Sequence, residues 1–270
     1  MTDDRAGDRS DGPADQHRAV RGRFVAASGR WDRSWEAVLE IDPEFVEAAV
    51  GLMAVPHRKN HLSDKFKALC HLSWNAAATH GNEAGVRFHA RRAVRLGATP
   101  QEIVEVLELA ATLGIHTMNI GVPLLVEVLV ERGRTGPTPL TAHQEALKAE
   151  FTRVRGYWHR FWDELLELDP EMFAAYTEFS SVPWRTGTLT PAEKELIYIS
   201  YDIAATHLYA PGTKLHIRNA LDHGATVEQV LEVMEISSVL GLDAISTAMP
   251  AVLDELASAR AWAAPTTSEE

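Results

Sequence analysis

The sequence predicts an all-α protein that consists of two tandem copies of one helical domain. Residues 79–114 align without a gap with residues 206–241, at an offset of 127 residues, and 14 of the 36 aligned positions are identical. Identity of this extent at one fixed spacing indicates an internal duplication. Signals that start α-helices recur at matching positions in both copies, and no segment shows the sustained alternation of a β-strand.

The helix-start signals appear in the same order in both copies. Asp42-Pro43 and Asp169-Pro170 each place an N-cap before a proline in the first turn. Thr99-Pro-Gln-Glu102 and Thr190-Pro-Ala-Glu193 have the spacing of a capping box, and Thr226-Val-Glu-Gln229 repeats it. Apolar residues behind these caps follow the i, i+3, i+4, i+7 spacing of a buried helix face. Each copy is therefore predicted to be a bundle of helices.

The repeat also sets the expected domain boundaries. We expect one domain over residues 23–133 and a second over residues 151–262. The linker between them, residues 134–150, begins in a stretch rich in Gly and Pro that interrupts the helical pattern. The polar ends, residues 1–22 and 263–270, are expected to be disordered tails, and the first of them lacks the apolar core of a secretory signal.

Composition narrows the choice of partners. The formal net charge is −12, which argues against binding to nucleic acid or to an anionic membrane surface, because both need clustered Lys or Arg. The single cysteine, Cys70, excludes an intramolecular disulfide and a cysteine-based zinc site. Charged residues are expected to interrupt every apolar stretch of membrane length. These properties suit a cytoplasmic protein that acts on a small molecule.

Two histidines stand at the same positions in each copy: His80 and His89 in the first, His207 and His216 in the second. In the second copy, the helix that begins after Thr190 is expected to run toward His207. The sequence Ala-Pro-Gly then starts a new helix, which carries His216 in its second turn. Because the end of one helix and the start of the next can converge, both imidazoles are expected to face one space.

The surroundings of these histidines resemble the carboxymuconolactone decarboxylase family, which includes proteins of the alkyl hydroperoxidase D type. The motifs that carry the resemblance in the second copy are Lys194-Glu195-Leu196-Ile197, His216-Ile-Arg-Asn-Ala220, Gly224-Ala-Thr226 and Glu232. Their counterparts in the first copy are His89-Ala-Arg-Arg-Ala93, Gly97-Ala-Thr99 and Glu105. The resemblance implies an all-α domain that assembles into trimers or hexamers with sites between helices. For a tandem chain it implies a homo-oligomer, a trimer of two-domain chains that forms a pseudo-hexamer.

The chain departs from the peroxidase members of that family. Those members carry a Cys-x-x-Cys motif at the seventh and fourth residues before the helix histidine. The corresponding positions hold Tyr209 and Gly212 in the second copy and Asn82 and Gly85 in the first. Peroxide reduction through a disulfide needs both thiols, so a thiol peroxidase is not expected.

Without the two thiols, the histidines can still act as acids and bases. The resemblance then implies a cofactor-independent decarboxylase, or a related lyase or isomerase, acting on a small carboxylated molecule. His216 is the expected general acid/base, with His207 and Glu195 assisting it. His80 and His89 are the matching catalytic candidates in the first copy. That copy has Ala68 in the place of Glu195, so the second copy is expected to be the main site.

Four further residues are expected to bind the substrate. Arg218 or Arg185 would hold its carboxylate, and Trp184 and Tyr209 would form an aromatic wall. No cofactor and no metal are expected. Two alternatives stay open: a non-catalytic scaffold that keeps the family fold, and an enzyme whose two histidines and one carboxylate hold a metal, although the His-x8-His spacing does not diagnose one.

Overall fold

α-Helices form the whole fold, and no β-strand occurs among residues 13–263, which are the residues that the computed structural model describes. The predicted all-α class is confirmed. In chain order the α-helices are α1 (Pro13–Ser28), α2 (Arg33–Ile41), α3 (Pro43–Lys59), α4 (Asp64–Ala76), α5 (Glu83–Arg95), α6 (Pro100–Ala111), α7 (His116–Glu131), α8 (Ala142–Arg155), α9 (Asp163–Leu168), α10 (Pro170–Thr186), α11 (Pro191–Asp202), α12 (Ala210–Asp222), α13 (Val227–Ser238) and α14 (Asp243–Ala263). Short 3₁₀-helices cover Thr112–Ile115, Arg160–Trp162 and Val239–Leu242.

Side-chain caps begin the helices where the sequence predicts them. The Asp42 and Asp169 carboxylates accept hydrogen bonds from backbone N–H groups in the first turns of α3 and α10. Thr99 and Thr190 form complete capping boxes at the starts of α6 and α11. These contacts satisfy N–H groups that have no partner within the helix, and they fix where each helix begins.

The described residues pack into two compact units, one formed by residues 13–60 together with 238–263, the other by residues 61–237. Each unit therefore contains helices from both sequence copies. In the first unit, α1, α2 and α3 enclose a core that includes Phe24, Trp35 and Leu39, and apolar residues of α14 pack against it. The second unit holds all the candidate site residues.

Two expected boundaries are wrong. Residues 13–22, which were expected to lie in a disordered tail, form most of α1, because Val20 and Phe24 lie one turn apart and are both buried. The expected linker 134–150 is helical from residue 142, where a capping box at Thr141 starts α8 and Phe151 anchors it in the core. The rest of the expected tails, up to residue 12 and from residue 264, lies outside the described residues.

Two helical stretches, Pro100–Glu131 and Val227–Ala259, are long and apolar enough to cross a membrane by length and composition. The expectation that charge interrupts every such stretch is therefore wrong, because helices continue into one another through a 3₁₀ turn. Length and composition are weak evidence for a span. In the first stretch, Glu102 and Glu105 are buried in ion pairs with Lys65 and Lys194, which favours a position in the core of the unit for α6.

At the centre of the second unit, α4 packs against α11, the helix that corresponds to it in the other copy. Buried ion pairs join the two copies there in a reciprocal manner. Lys67 Nζ lies 3.1 Å from a carboxylate oxygen of Glu232, and Lys194 Nζ lies 3.0 Å from one of Glu105. These four residues occupy corresponding positions of the repeat, so the copies pair about a pseudo-two-fold axis.

Candidate active site

Helix α11 supplies two buried carboxylates to the site. Every residue from 194 to 202 is buried, and the side chains of Glu195 and Asp202 are both fully inaccessible to solvent. A spacing of seven residues is close to two helical turns, so both carboxylates lie on the face of α11 that packs against α12.

The imidazole of His216 on α12 bonds to the first of these carboxylates. His216 Nδ1 lies 2.5 Å from Oε2 of Glu195, and Asn219 Nδ2 donates to Oε1 of the same carboxylate over 3.3 Å. A carboxylate accepts hydrogen bonds, so Nδ1 of His216 carries a proton and donates the hydrogen bond to Glu195. Tyr198 stacks on the imidazole with ring centres 4.3 Å apart. The ring is therefore fixed in orientation, and Nε2 is the ring nitrogen that does not bond to Glu195.

Nε2 of His216 faces the second carboxylate at a longer distance. It lies 3.9 Å from Oδ2 of Asp202, and neither oxygen of Asp202 has a hydrogen-bond partner within residues 13–263. The pKa of Asp202 is raised to about 7, mainly by burial, with a smaller lowering by the charge of His216 and a smaller rise caused by Glu195. The glycine at the start of α12 makes room for this carboxyl, because a Cβ at Gly212 would lie 2.5 Å from Asp202 Oδ2.

His207 pairs with a histidine of the other copy. His207 Nε2 lies 2.7 Å from Nδ1 of His116, at the start of α7, and the His116 ring stacks on Tyr209 with ring centres 3.9 Å apart. Burial, and then the charged forms of His207 and His216, lower the pKa of His116 to about 3. Burial also lowers the pKa of His207. Both imidazoles are therefore neutral near pH 7.

A small cavity of about 20 Å³ lies beside these groups, which is room for about one water molecule. Its wall includes His116 and His216 but not His207, so the two predicted histidines of this copy do not face one space directly. His116 lies between them, because it bonds to His207 and lines the cavity together with His216. The complete lining is Thr112, Ile115, His116, Asn119, Arg155, Tyr157, Phe161, Trp162, Tyr176, Tyr198, Tyr201, Tyr209, Gly212, Leu215 and His216.

An open groove of about 790 Å³ adjoins the cavity. Three side chains, Asn119, Phe161 and Tyr209, line both spaces and form the partition between them. Apolar residues of α7 form one wall of the groove, and Arg160 and His159 lie at its edge. These three side chains therefore separate the groove from the cavity beside His216.

The cavity contains a buried cation that sequence reasoning missed. Arg155 is 4 % exposed, and its guanidinium carbon lies 4.8 Å from the ring centre of Trp184. Its Nε has no hydrogen-bond partner in the part of the chain that the structure describes, and its Nη2 is 3.5 Å from the Tyr198 hydroxyl. Burial alone would lower the pKa of Arg155, but tyrosine hydroxyls, Tyr198 first among them, and the Glu195 carboxylate raise it above its ordinary value. The guanidinium is therefore charged and has a donor to offer to an anion.

The other residues expected to bind substrate lie in different places. Arg185 is exposed and forms two hydrogen bonds to Glu178 at the surface. Arg218 is exposed on α12. The pKa of His159 is lowered mainly by burial, and the charge of Arg218 contributes to that lowering. Neither arginine lines the cavity. Trp184 covers Arg155 and donates to the Tyr198 hydroxyl over 3.3 Å, and Tyr209 lies in the partition.

The first copy lacks both carboxylates. Ala68 and Asn75 stand at the positions of Glu195 and Asp202. His71 takes the position of Tyr198 and stacks on His89 with ring centres 4.3 Å apart, while His80 packs against Trp74. The first copy has kept its imidazoles and their stacking but has no acid at the two matching positions.

The duplicated helical unit, with a glutamate–histidine pair held between α11 and α12, belongs to the carboxymuconolactone decarboxylase family, whose sequence profile matches residues 43–116 and 170–255, once in each copy. Among solved structures, the chain is similar to a protein of Burkholderia xenovorans LB400 that is provisionally described as a gamma-carboxymuconolactone decarboxylase subunit. The two are 48 % identical with a TM-score of 0.87, and the match covers 92 % of this chain and 99 % of the other. No curated protein matches the chain.

Proposed function

We propose that the protein is a lyase of the carboxymuconolactone decarboxylase type, which removes CO₂ from a small carboxylated molecule. The observation that carries this proposal is the single cavity shared by Arg155 and His216. Decarboxylation needs a positive group to stabilise negative charge and an acid to protonate the carbon that CO₂ leaves. A buried guanidinium and an imidazole backed by Glu195 meet these two needs.

The proposed reaction has two steps. The bond between the carboxylate carbon and its neighbouring carbon breaks, CO₂ leaves, and the electron pair moves into an adjacent carbonyl group to give an enolate. Arg155 stabilises the enolate oxygen through its charge and its N–H donors. The enolate carbon then takes a proton from Nε2 of the His216 imidazolium, which becomes neutral and regains a proton from solvent. Glu195 stabilises the imidazolium through its hydrogen bond at Nδ1.

The size of the cavity limits where the substrate can lie. A space of about 20 Å³ admits little more than a water molecule, so the body of the substrate is proposed to lie in the outer groove. Rotation of Tyr209 or Phe161 would open the partition and let the reacting part reach His216 and Arg155. The apolar wall that Ile120, Pro123 and Val126 form favours a substrate with an apolar body.

We also propose that the chain assembles with copies of itself, as a trimer of two-domain chains. Helix α7 supports this proposal because it exposes several large apolar side chains next to one another. Leu124, Leu125 and Val128 are 54 %, 51 % and 44 % exposed. Such a patch is costly in water and is typical of a surface that a partner covers.

The test of the proposed activity is CO₂ release from a panel of small lactones that bear a carboxylate. The wild-type protein should release CO₂ from at least one of them. His216→Ala should slow that release roughly a hundredfold or more, because the variant has no group to deliver the proton. His143→Ala, which removes an exposed histidine, is the matched control and should keep the wild-type rate. A His216→Ala rate near the wild type, or no release from any member of the panel, would overturn the proposal.

A further inference from the structure

The turn between α11 and α12 gathers three potential metal ligands that the proposed reaction does not use. His116 comes from α7 in the first copy, Asp202 ends α11, and His207 follows in the turn. One ligand atom from each residue lies within 4.8 Å of the ligand atoms of the other two. We infer that these residues bind one divalent transition-metal ion per chain.

The strongest support is the state of Asp202. Its side chain is fully buried, and neither carboxyl oxygen has a hydrogen-bond partner among the described residues. A buried carboxylate without a partner costs several kcal/mol, on the order of the desolvation cost of an ion. His116 Nε2 lies 3.8 Å and His216 Nε2 lies 3.9 Å from its oxygens, both too far for a direct hydrogen bond. A cation in this space would supply the missing partner.

The ligand types indicate which ion fits. Two neutral imidazoles and one carboxylate suit Zn²⁺ or Fe²⁺, whereas Mg²⁺ and Ca²⁺ prefer oxygen ligands. His116 and His207 already lie within direct contact, with nitrogen atoms 2.7 Å apart. Binding requires this hydrogen bond to break, so that one ring nitrogen of each histidine presents its lone pair to the ion.

Three protein ligands leave positions open for water or another small ligand. Asn119, one turn after His116 on α7, lines the same cavity as His116, and its buried Oδ1 has no hydrogen-bond partner among the residues described by the structure. This oxygen can accept a hydrogen bond from a metal-bound water. The cavity has room for about one such molecule.

The matching positions of the repeat do not provide a second ligand set of this kind. Asn75 stands at the position of Asp202 in the first copy, and Asp243 stands at the position of His116 in the second. The set also differs from the two-histidine, one-carboxylate site considered from the sequence, because one of its histidines comes from the other copy. We therefore expect one ion per chain, which departs from the cofactor-free expectation.

Metal binding is measured directly on the full chain and does not depend on the proposed reaction. Protein stripped with a chelator is titrated with Zn²⁺ by calorimetry, and with Co²⁺ by its visible absorption, which reports the ligand geometry. The expected result is about one equivalent bound and absorption typical of a site with four or five nitrogen and oxygen ligands. Failure of the decarboxylase assay would leave this result unchanged.

Asp202→Asn is the decisive variant, because the first copy shows that asparagine is accepted at this position of the helix. The affinity for Zn²⁺ should fall roughly a hundredfold, while the circular dichroism spectrum stays that of the wild type. His116→Gln should have a similar effect. Asp222→Asn, at an exposed position on α12, is the control and should bind as the wild type does. Equal binding by the wild type and Asp202→Asn, or no Zn²⁺ binding by the wild type, would overturn the inference and leave His116 and His207 as a hydrogen-bonded pair only.

Discussion

Ser73 and Ser200 occupy the same position in the two copies, and their hydroxyl oxygens lie 2.5 Å apart in the buried centre of the unit formed by residues 61–237. A residue can contact its own equivalent only where the symmetry axis passes. The reciprocal ion pairs Lys67–Glu232 and Lys194–Glu105 flank this contact. The two copies therefore pair as the subunits of an isologous dimer do, within one chain.

Breaking one of these ion pairs should destabilise the protein strongly. Glu105→Gln leaves the ammonium of Lys194 buried without its counter-charge, and we expect a loss of about 3–5 kcal/mol in the free energy of unfolding. Replacing both residues, as in Glu105→Leu with Lys194→Met, should recover most of that loss. Urea denaturation measures both effects. Glu83→Gln, which breaks an exposed pair with Arg87, should cost less than about 1 kcal/mol; a similar cost for Glu83→Gln and Glu105→Gln would contradict the argument.

Glu195→Gln should slow turnover while leaving the fold intact. The amide keeps the size of the side chain and can accept a hydrogen bond from Nδ1 of His216, but it has no charge to stabilise the imidazolium. We expect turnover to fall roughly tenfold to a hundredfold with little change in KM. Steady-state kinetics over a range of pH would check this. A variant with the wild-type rate at every pH would show that Glu195 has only a structural role.

Arg155 and Arg218 should behave differently when each is replaced by methionine. Arg155→Met removes the buried cation from the cavity, and turnover should fall roughly a hundredfold because the developing negative charge loses its counter-charge. Arg218→Met removes an exposed cation. Turnover should change by less than about threefold, and this change should shrink at high salt because salt screens exposed charges. A larger loss of turnover for Arg218→Met than for Arg155→Met would restore the role that the sequence suggested for Arg218.

The carboxylate of Glu167 should contribute stability that depends on pH. Burial raises the pKa of Glu167. Hydrogen bonds from Thr138 and the nearby charge of Arg134 lower it by more than burial raises it, so the net shift is downward. A lowered pKa means that the stabilisation is present above the pKa of the unfolded chain and is lost as the pH falls through the folded value. The difference in stability between the wild type and Glu167→Gln should therefore be largest near pH 7 and shrink below pH ~4. Urea denaturation at several pH values measures it, and a difference that grows in acid would contradict the assignment.

The exposed face of α7 should control assembly. Val128→Glu places a charge in the apolar patch with Leu124 and Leu125, and it should shift the sedimentation coefficient from that of a trimer toward that of a monomer. Val94→Glu, at another exposed valine, should leave the oligomer unchanged. Sedimentation velocity compares the two variants. Dissociation by both variants would mean that α7 is not the specific contact, and a monomeric wild type would refute the proposed trimer.

The sequence by itself determined the features that depend on local contacts or on comparison of the two copies. Capping residues such as Thr99 and Thr190 act within one turn, so the starts of α6 and α11 could be predicted. The fixed offset of 127 residues revealed the duplication without any structure. The residue types around His216 identified the family, and the helical spacing allowed Glu195 to approach it.

Only the tertiary structure decided which groups share the cavity. His116 lies 91 residues from His207 in the chain, and no local pattern encodes their contact, which depends on how α7 packs over the turn after α11. Arg155 ends a helix that looked like part of a linker, and it becomes a buried cation because Trp184 and the tyrosines enclose it. Helices α4 and α11 pair across the two copies because their apolar faces are buried and their ion pairs form only when the two copies pack together. Long-range packing of this kind is the physical reason why the sequence suggested His216 and Glu195 as candidates but not Arg155 and His116.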